Sequence, residues 1–206
     1  MLETRRSLLH LVAAGTALPL LAGLPRAARA EEDPRKTERA LGNPAAKVTV
    51  IEFFSMTCPH CAAFAKETLP SIQKEMIDTG RIRYVFGDFP LDRLALDAAM
   101  LARALPAPRY EPFILQLFST QLRWAYDRTV NQQDELWKNA AFAGMSQETF
   151  KATLGDNAFR EWMIATQKDN ETKFQIDSTP TFIINGRKVA GEMSYEKFSQ
   201  YIAAAT

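Results

Sequence analysis

The sequence predicts an α/β chain whose sheet is assembled in two halves around a long helical stretch. Three observations carry this expectation. A β-branched and aromatic run at 47–54 gives way to a helical pattern at Cys58. A block of helical periodicity fills about 92–175. Finally, Asn185-Gly186 joins two short strand-like runs.

Residues 47–54, with Val48, Val50, Ile51, Phe53 and Phe54, read as a buried strand. In the helix that follows, Phe64, Leu69, Ile72 and Met76 cluster on one face. Pro70 removes one backbone donor and kinks it, and Gly80 ends it. Ile82, Tyr84 and Phe86 alternate, so 81–86 is a second strand. Helices are expected at 94–101, 110–124, 132–143, 147–154 and 157–174, with Pro106 and Pro108 breaking the first from the second. Strand character returns at 181–184. Asn-Gly suits a two-residue hairpin turn, 187–190 is the returning strand, and Ser194 caps a last helix through Ile202. This order fits a thioredoxin-like sheet with a helical domain inserted between a βαβ half and a β-hairpin–helix half.

Residues 1–30 have the composition of an export signal. Arg5-Arg6 precede an apolar stretch from Leu8 to Leu24, and Ala28-Arg29-Ala30 is a cleavage pattern ahead of acidic residues. Gly15, Pro19 and Gly23 interrupt that stretch, which argues against a spanning helix. The twin arginine suggests the route used by folded proteins. Cleavage near Ala30 would place the protein in the periplasm. Residues 31–46 read as a mobile leader and 47–206 as the folded domain. Loss of the signal removes Arg5, Arg6, Arg26 and Arg29 against Glu3, taking the net charge from +1 to about −2. A chain so near neutrality gives no electrostatic case for nucleic-acid binding.

The chain has two cysteines, both in Cys58-Pro59-His60-Cys61. A cysteine at the start of a helix meets unpaired N–H groups and the positive end of the helix dipole, which favour its thiolate. The thiolate is the form that attacks disulfides. As a structural staple this disulfide would close a tiny loop and contribute little, so a redox-active Cys58–Cys61 pair explains the spacing better. Cys58 is then the nucleophile and Cys61, one turn on, the more buried resolving thiol. No separate cofactor is called for. Pro59 suits the first helical position, and the His60 ring can donate to the Cys58 sulfur or sit as a cation beside it. A zinc site lacks ligands: no cysteine lies outside the motif, and His10, the second histidine, leaves with the signal.

Glu52 interrupts an apolar strand and is costly to bury ionised. It could carry the proton of Cys61, or it could reach solvent or pair structurally; Arg83 on the next strand is the candidate partner. Thr179-Pro180 opens the third strand. On base rates alone it is an ordinary trans proline at a strand end.

Two stretches carry a resemblance. Residues 52–61, Glu-Phe-Phe-Ser-Met-Thr-Cys-Pro-His-Cys, and 178–186, Ser-Thr-Pro-Thr-Phe-Ile-Ile-Asn-Gly, resemble the DsbA family of periplasmic thiol oxidases. The resemblance implies disulfide donation to reduced exported proteins and reoxidation by a DsbB-like membrane quinone reductase; separately, a monomer is expected. It also implies that His60 tunes the site, that Glu52 is the buried acid with a basic residue near it at Arg83, and that Pro180 is a cis proline facing the cysteines. Thr179 would offer backbone groups to a substrate peptide there, and it departs from the valine of the best-known members. Two alternatives stay open. One is a disulfide isomerase or reductase, although such isomerases usually dimerise through an extra N-terminal domain, for which 31–46 is too short. The other is a Cu(I)-handling protein using Cys58, Cys61, His60 and Met56.

Overall fold

The computed structural model describes residues 32–205, so the signal expected at 1–30 lies outside the described residues. Five strands form one sheet in the order β1-β3-β2-β4-β5: β1 Arg39–Gly42, β2 Val48–Phe54, β3 Ile82–Asp88, β4 Thr181–Ile184 and β5 Arg187–Ala190. β2 and β3 run parallel, and the other pairs are antiparallel. Parallel strands need a long crossover. Here α1 (Pro59–Glu67), α2 (Leu69–Ile72) and a π-turn (Gln73–Ile77) supply it. The break between α1 and α2 falls at Thr68, two residues before Pro70.

Between β3 and β4 comes the helical insert: α3 Arg93–Ala104, α4 Ala107–Ser119, a π-turn Leu122–Tyr126, α5 Gln132–Phe142, α6 Gln147–Gly155 and α7 Asn157–Phe174. The helix α8, Tyr195–Ala205, closes the chain. The hairpin turn has Asn185 at φ 45° and Gly186 at φ 87°, the left-handed pair that matches strand twist. The Asn185 side chain accepts from Thr49 N–H (2.9 Å) and donates to the Lys47 carbonyl (3.1 Å), tying the hairpin tip to β2.

The period-2 alternation of the strands sorts the core. Val50, Phe54, Tyr84, Phe86 and Phe182 join α1, α4 and α8 in the main apolar cluster, while Phe53, Phe89, Ile176 and Ile183 form a smaller one. Glu52 shares the first face, since Tyr84 of β3 reaches it. The leader expected at 31–46 is corrected by the structure. Its Pro34–Lys36 is a 3-10 turn and Arg39–Gly42 is the edge strand β1, paired with β3. Its fastening is polar, which apolar periodicity does not register. Buried Arg103 pairs with Asp88 and donates to the Arg35 and Thr37 carbonyls (both 3.0 Å), and Arg39 donates to the Arg103 carbonyl (3.2 Å).

Candidate active site

β2 ends by delivering residues 55–58 to the N-terminus of α1. Cys58 caps the helix with extended backbone (φ −79°, ψ 119°), and Pro59 takes the first helical position, where no intrahelical donor is missed. The Cys58 sulfur accepts the Cys61 N–H at 3.4 Å and lies 3.3 Å from the Thr179 carbonyl, to which its thiol proton is donated. The Thr179–Pro180 peptide is cis. Thus β4 brings 179–180 against the helix end, joining the two motifs that lie far apart in sequence. The Thr179 hydroxyl is buried without a partner, so a donor is available to the sulfur once it has lost its own proton.

The two thiols differ sharply. Cys58 is held down to about 5, chiefly by the hydrogen bond from the Cys61 thiol and then by Thr179 and the Cys61 and His60 N–H groups, against the opposing effect of burial. Burial pushes Cys61 far above the ordinary thiol range, helped by its bond to Cys58 and the charge of Glu52. Cys61 is wholly buried, whereas Cys58 lines an open cavity of about 740 Å³ with His60, Leu91, Tyr126 and Thr179.

Glu52 is buried, 4 % exposed, and burial raises it to about 7. A hydrogen bond from the Tyr84 hydroxyl (2.6 Å) opposes that rise, and the charge of Cys58 adds to it. The expected Arg83 partner is corrected. Arg83 pairs with Glu38, because alternation sends it to the other sheet face from Ile82, Tyr84 and Phe86. The His60 ring is 70 % exposed and lies 3.2 Å from the Glu192 carboxylate, so the contact that the structure gives Cys58 from His60 is its backbone N–H. Met56 is packed in the main cluster. Among the described residues no three metal-binding side chains converge.

Four residues of the site were not singled out by the sequence. Gln121 donates to the Met56 (2.8 Å) and Cys58 (3.0 Å) carbonyls, Tyr126 donates to the Thr57 carbonyl, and Asp92 accepts from the Thr57 hydroxyl (2.6 Å). The helical insert thereby grips the backbone that carries the nucleophile. The fourth is Tyr84. Its signal was present: a phenol on the core-facing side of an alternating strand requires a buried partner.

The model of the family described as Thioredoxin matches residues 34–204. The chain belongs to the thioredoxin family. Within that family it is a DsbA-like disulfide oxidoreductase homologue. It is 34% identical over 151 residues to a protein designated a protein-disulfide oxidoreductase in Rickettsia typhi, covering 72% of this chain and 55% of that one. The chain therefore spans about half the length of that relative. Disulfide bond formation protein D of Bacillus subtilis is 27% identical over 175 residues, covering 81% of this chain and 76% of its own length. The crystal structure of alpha-DsbA1 from Wolbachia pipientis superposes with a TM-score of 0.76 at 28% identity, over 82% of this chain and 91% of that one. The likeness confirms the thioredoxin-like sheet with its inserted helices. Among the described residues no helix is long and apolar enough to cross a membrane.

Proposed function

We propose that the protein is a periplasmic thiol:disulfide oxidoreductase working as a dithiol oxidase, donating its Cys58–Cys61 disulfide to reduced exported proteins. The observation that carries this reading is the asymmetry of the sulfurs: Cys58 lowered to about 5, Cys61 raised. A stabilised thiolate favours the reduced protein, so the disulfide is a strong oxidant.

In the first step a substrate thiolate attacks the Cys58 sulfur. The Cys58–Cys61 bond breaks, and its electron pair leaves on the Cys61 sulfur. That sulfur is buried, so it needs a proton at once, and neutral Glu52 supplies it. A second substrate thiolate then attacks the substrate sulfur of the mixed disulfide. The substrate disulfide closes and Cys58 departs as its stable thiolate. The substrate has lost two electrons and the protein has gained them. Reoxidation returns these electrons to a quinone-linked partner of the DsbB kind. Thr179, beside cis Pro180 and in the wall of the cavity at Cys58, offers backbone groups to the bound peptide.

Equilibration with glutathione tests the direction of exchange. An oxidase has a reduction potential at or above about −180 mV, whereas a value near about −270 mV, in the thioredoxin range, would make the protein a reductase.

A further inference from the structure

We infer that Tyr84 is a positioning residue for the exchange reaction, holding the Glu52 carboxylate so that it can take the Cys61 proton as well as give it. The inference rests on the proton role proposed for Glu52 above.

Tyr84 is fully buried, and its hydroxyl donates to Glu52 Oε2 at 2.6 Å. The groups that face Glu52 are few. From β3 comes Tyr84, while Phe86 stands opposite Glu52 in register; from β4 the opposing residue is Phe182; from the start of α1 come its cap, Cys58, and Cys61. Neither Lys nor Arg faces it among the described residues, since Arg83 is engaged with Glu38 on the other side of the sheet. The charged form of Glu52 therefore has one observed hydrogen-bond donor.

Chemistry in both directions needs that donor. When the Cys58–Cys61 bond is broken by a substrate, Glu52 acts as an acid: its proton passes to the departing Cys61 sulfur and a carboxylate remains. During reoxidation the flow reverses. The Cys61 thiol gives its proton to the Glu52 carboxylate, and its sulfur attacks Cys58 in the mixed disulfide with the oxidant. The Cys58–Cys61 bond forms, and the oxidant's sulfur leaves with the electron pair. A carboxyl buried without any donor would stay neutral and serve only the first direction. A bond to the charged form favours that form, so the phenol makes the carboxylate accessible at neutral pH. Tyr84 itself stays protonated, because burial and the neighbouring Glu52 push its ionisation far above the usual range.

The test follows reduced protein mixed with excess oxidised glutathione, reading by stopped flow the glutathione released as Cys61 resolves the Cys58 mixed disulfide. The wild-type rate should rise with pH through the region where Glu52 ionises. In Tyr84→Phe that rise should move to higher pH, slowing resolution at pH 6 about tenfold. In a Glu52→Gln background the same change should have no further effect. An unmoved profile in Tyr84→Phe, or a shift that persists in the Glu52→Gln background, overturns the inference while leaving the proton role of Glu52 intact. A wild-type profile in Glu52→Gln alone overturns that role, and the inference with it. Should Tyr84→Phe fail to fold, the infrared carboxyl band of Glu52 in the native protein, assigned by its loss in Glu52→Gln, decides the matter. A hydrogen-bonded band supports the inference, and the band of a free carboxyl contradicts it.

Discussion

Two buried tyrosines in this molecule donate to buried carboxylates, and the pairs behave differently. Tyr84 bonds Glu52 at 2.6 Å, and Tyr110 bonds Asp88 at 2.9 Å. Asp88 has a guanidinium as well: the Arg103 Nε donates to its second oxygen, and Arg103 also holds the carbonyls of the N-terminal turn. Among the described residues Glu52 has no cation, and its other polar neighbours are the cysteines. A buried acid with a counter-ion and satisfied oxygens serves as a fixed joint. The same acid without one hovers between its protonation states near neutrality and is free to move a proton. On the proton role proposed for Glu52, the comparison separates a structural carboxylate from a chemical one within a single sheet.

The largest effect should come from breaking the joint. Arg103→Met leaves the Asp88 carboxylate buried without its cation and unfastens the segment before β1, so denaturant unfolding should show a loss of about 3–5 kcal/mol. Thiol exchange by the molecules that remain folded should be unaltered. Equal exchange defects in Arg103→Met and Glu52→Gln would erase the distinction.

A second test uses pH. The folded-state value of Glu52, about 7, lies above the ordinary 4.5, so its contribution to stability is complete below about pH 4.5 and is lost as pH rises through 7. Relative to Glu52→Gln, the reduced wild-type protein should therefore lose about 3 kcal/mol between pH 4.5 and pH 8. A stability difference that does not change with pH would contradict a raised Glu52 and remove the basis for its proton role.

The smallest effect belongs to an exposed pair. Glu192→Gln removes the partner of the His60 ring, and both side chains are largely in water. Stability should change by less than about 0.5 kcal/mol. Because the His60 contact with the Cys58 sulfur comes from backbone, the pH dependence of exchange should stay close to wild type. A large shift would show that the ring reaches the sulfur after all.

Much of the architecture was legible in the sequence because the informative segments have strong local patterns. The apolar run before Cys58, the Asn-Gly turn and the 18-residue α7 all formed where periodicity placed them. The edge strand was not legible. Four residues with one buried side chain, Arg39, hold no apolar alternation to read, and they are placed by pairing with β3 and by the Arg39 bond to the Arg103 carbonyl. At the site, chemistry within the two motifs was visible because a helix start acts on whatever residue occupies it. What grips the first motif from outside was hidden. Gln121, Tyr126 and Asp92 approach from the insert by tertiary packing alone. The partner of Glu52 is Tyr84 and not Arg83, one residue away in sequence, because neighbours along a strand point to opposite faces.

The central claim is that the first sulfur of the pair is an anion at neutral pH while the second is not. Ultraviolet titration of thiolate absorbance in the reduced protein, repeated in Cys58→Ser, measures this directly. One thiolate should appear with a midpoint near 5 and vanish in the variant. A single midpoint near 9, or a low-pH thiolate that survives in Cys58→Ser, would contradict the account.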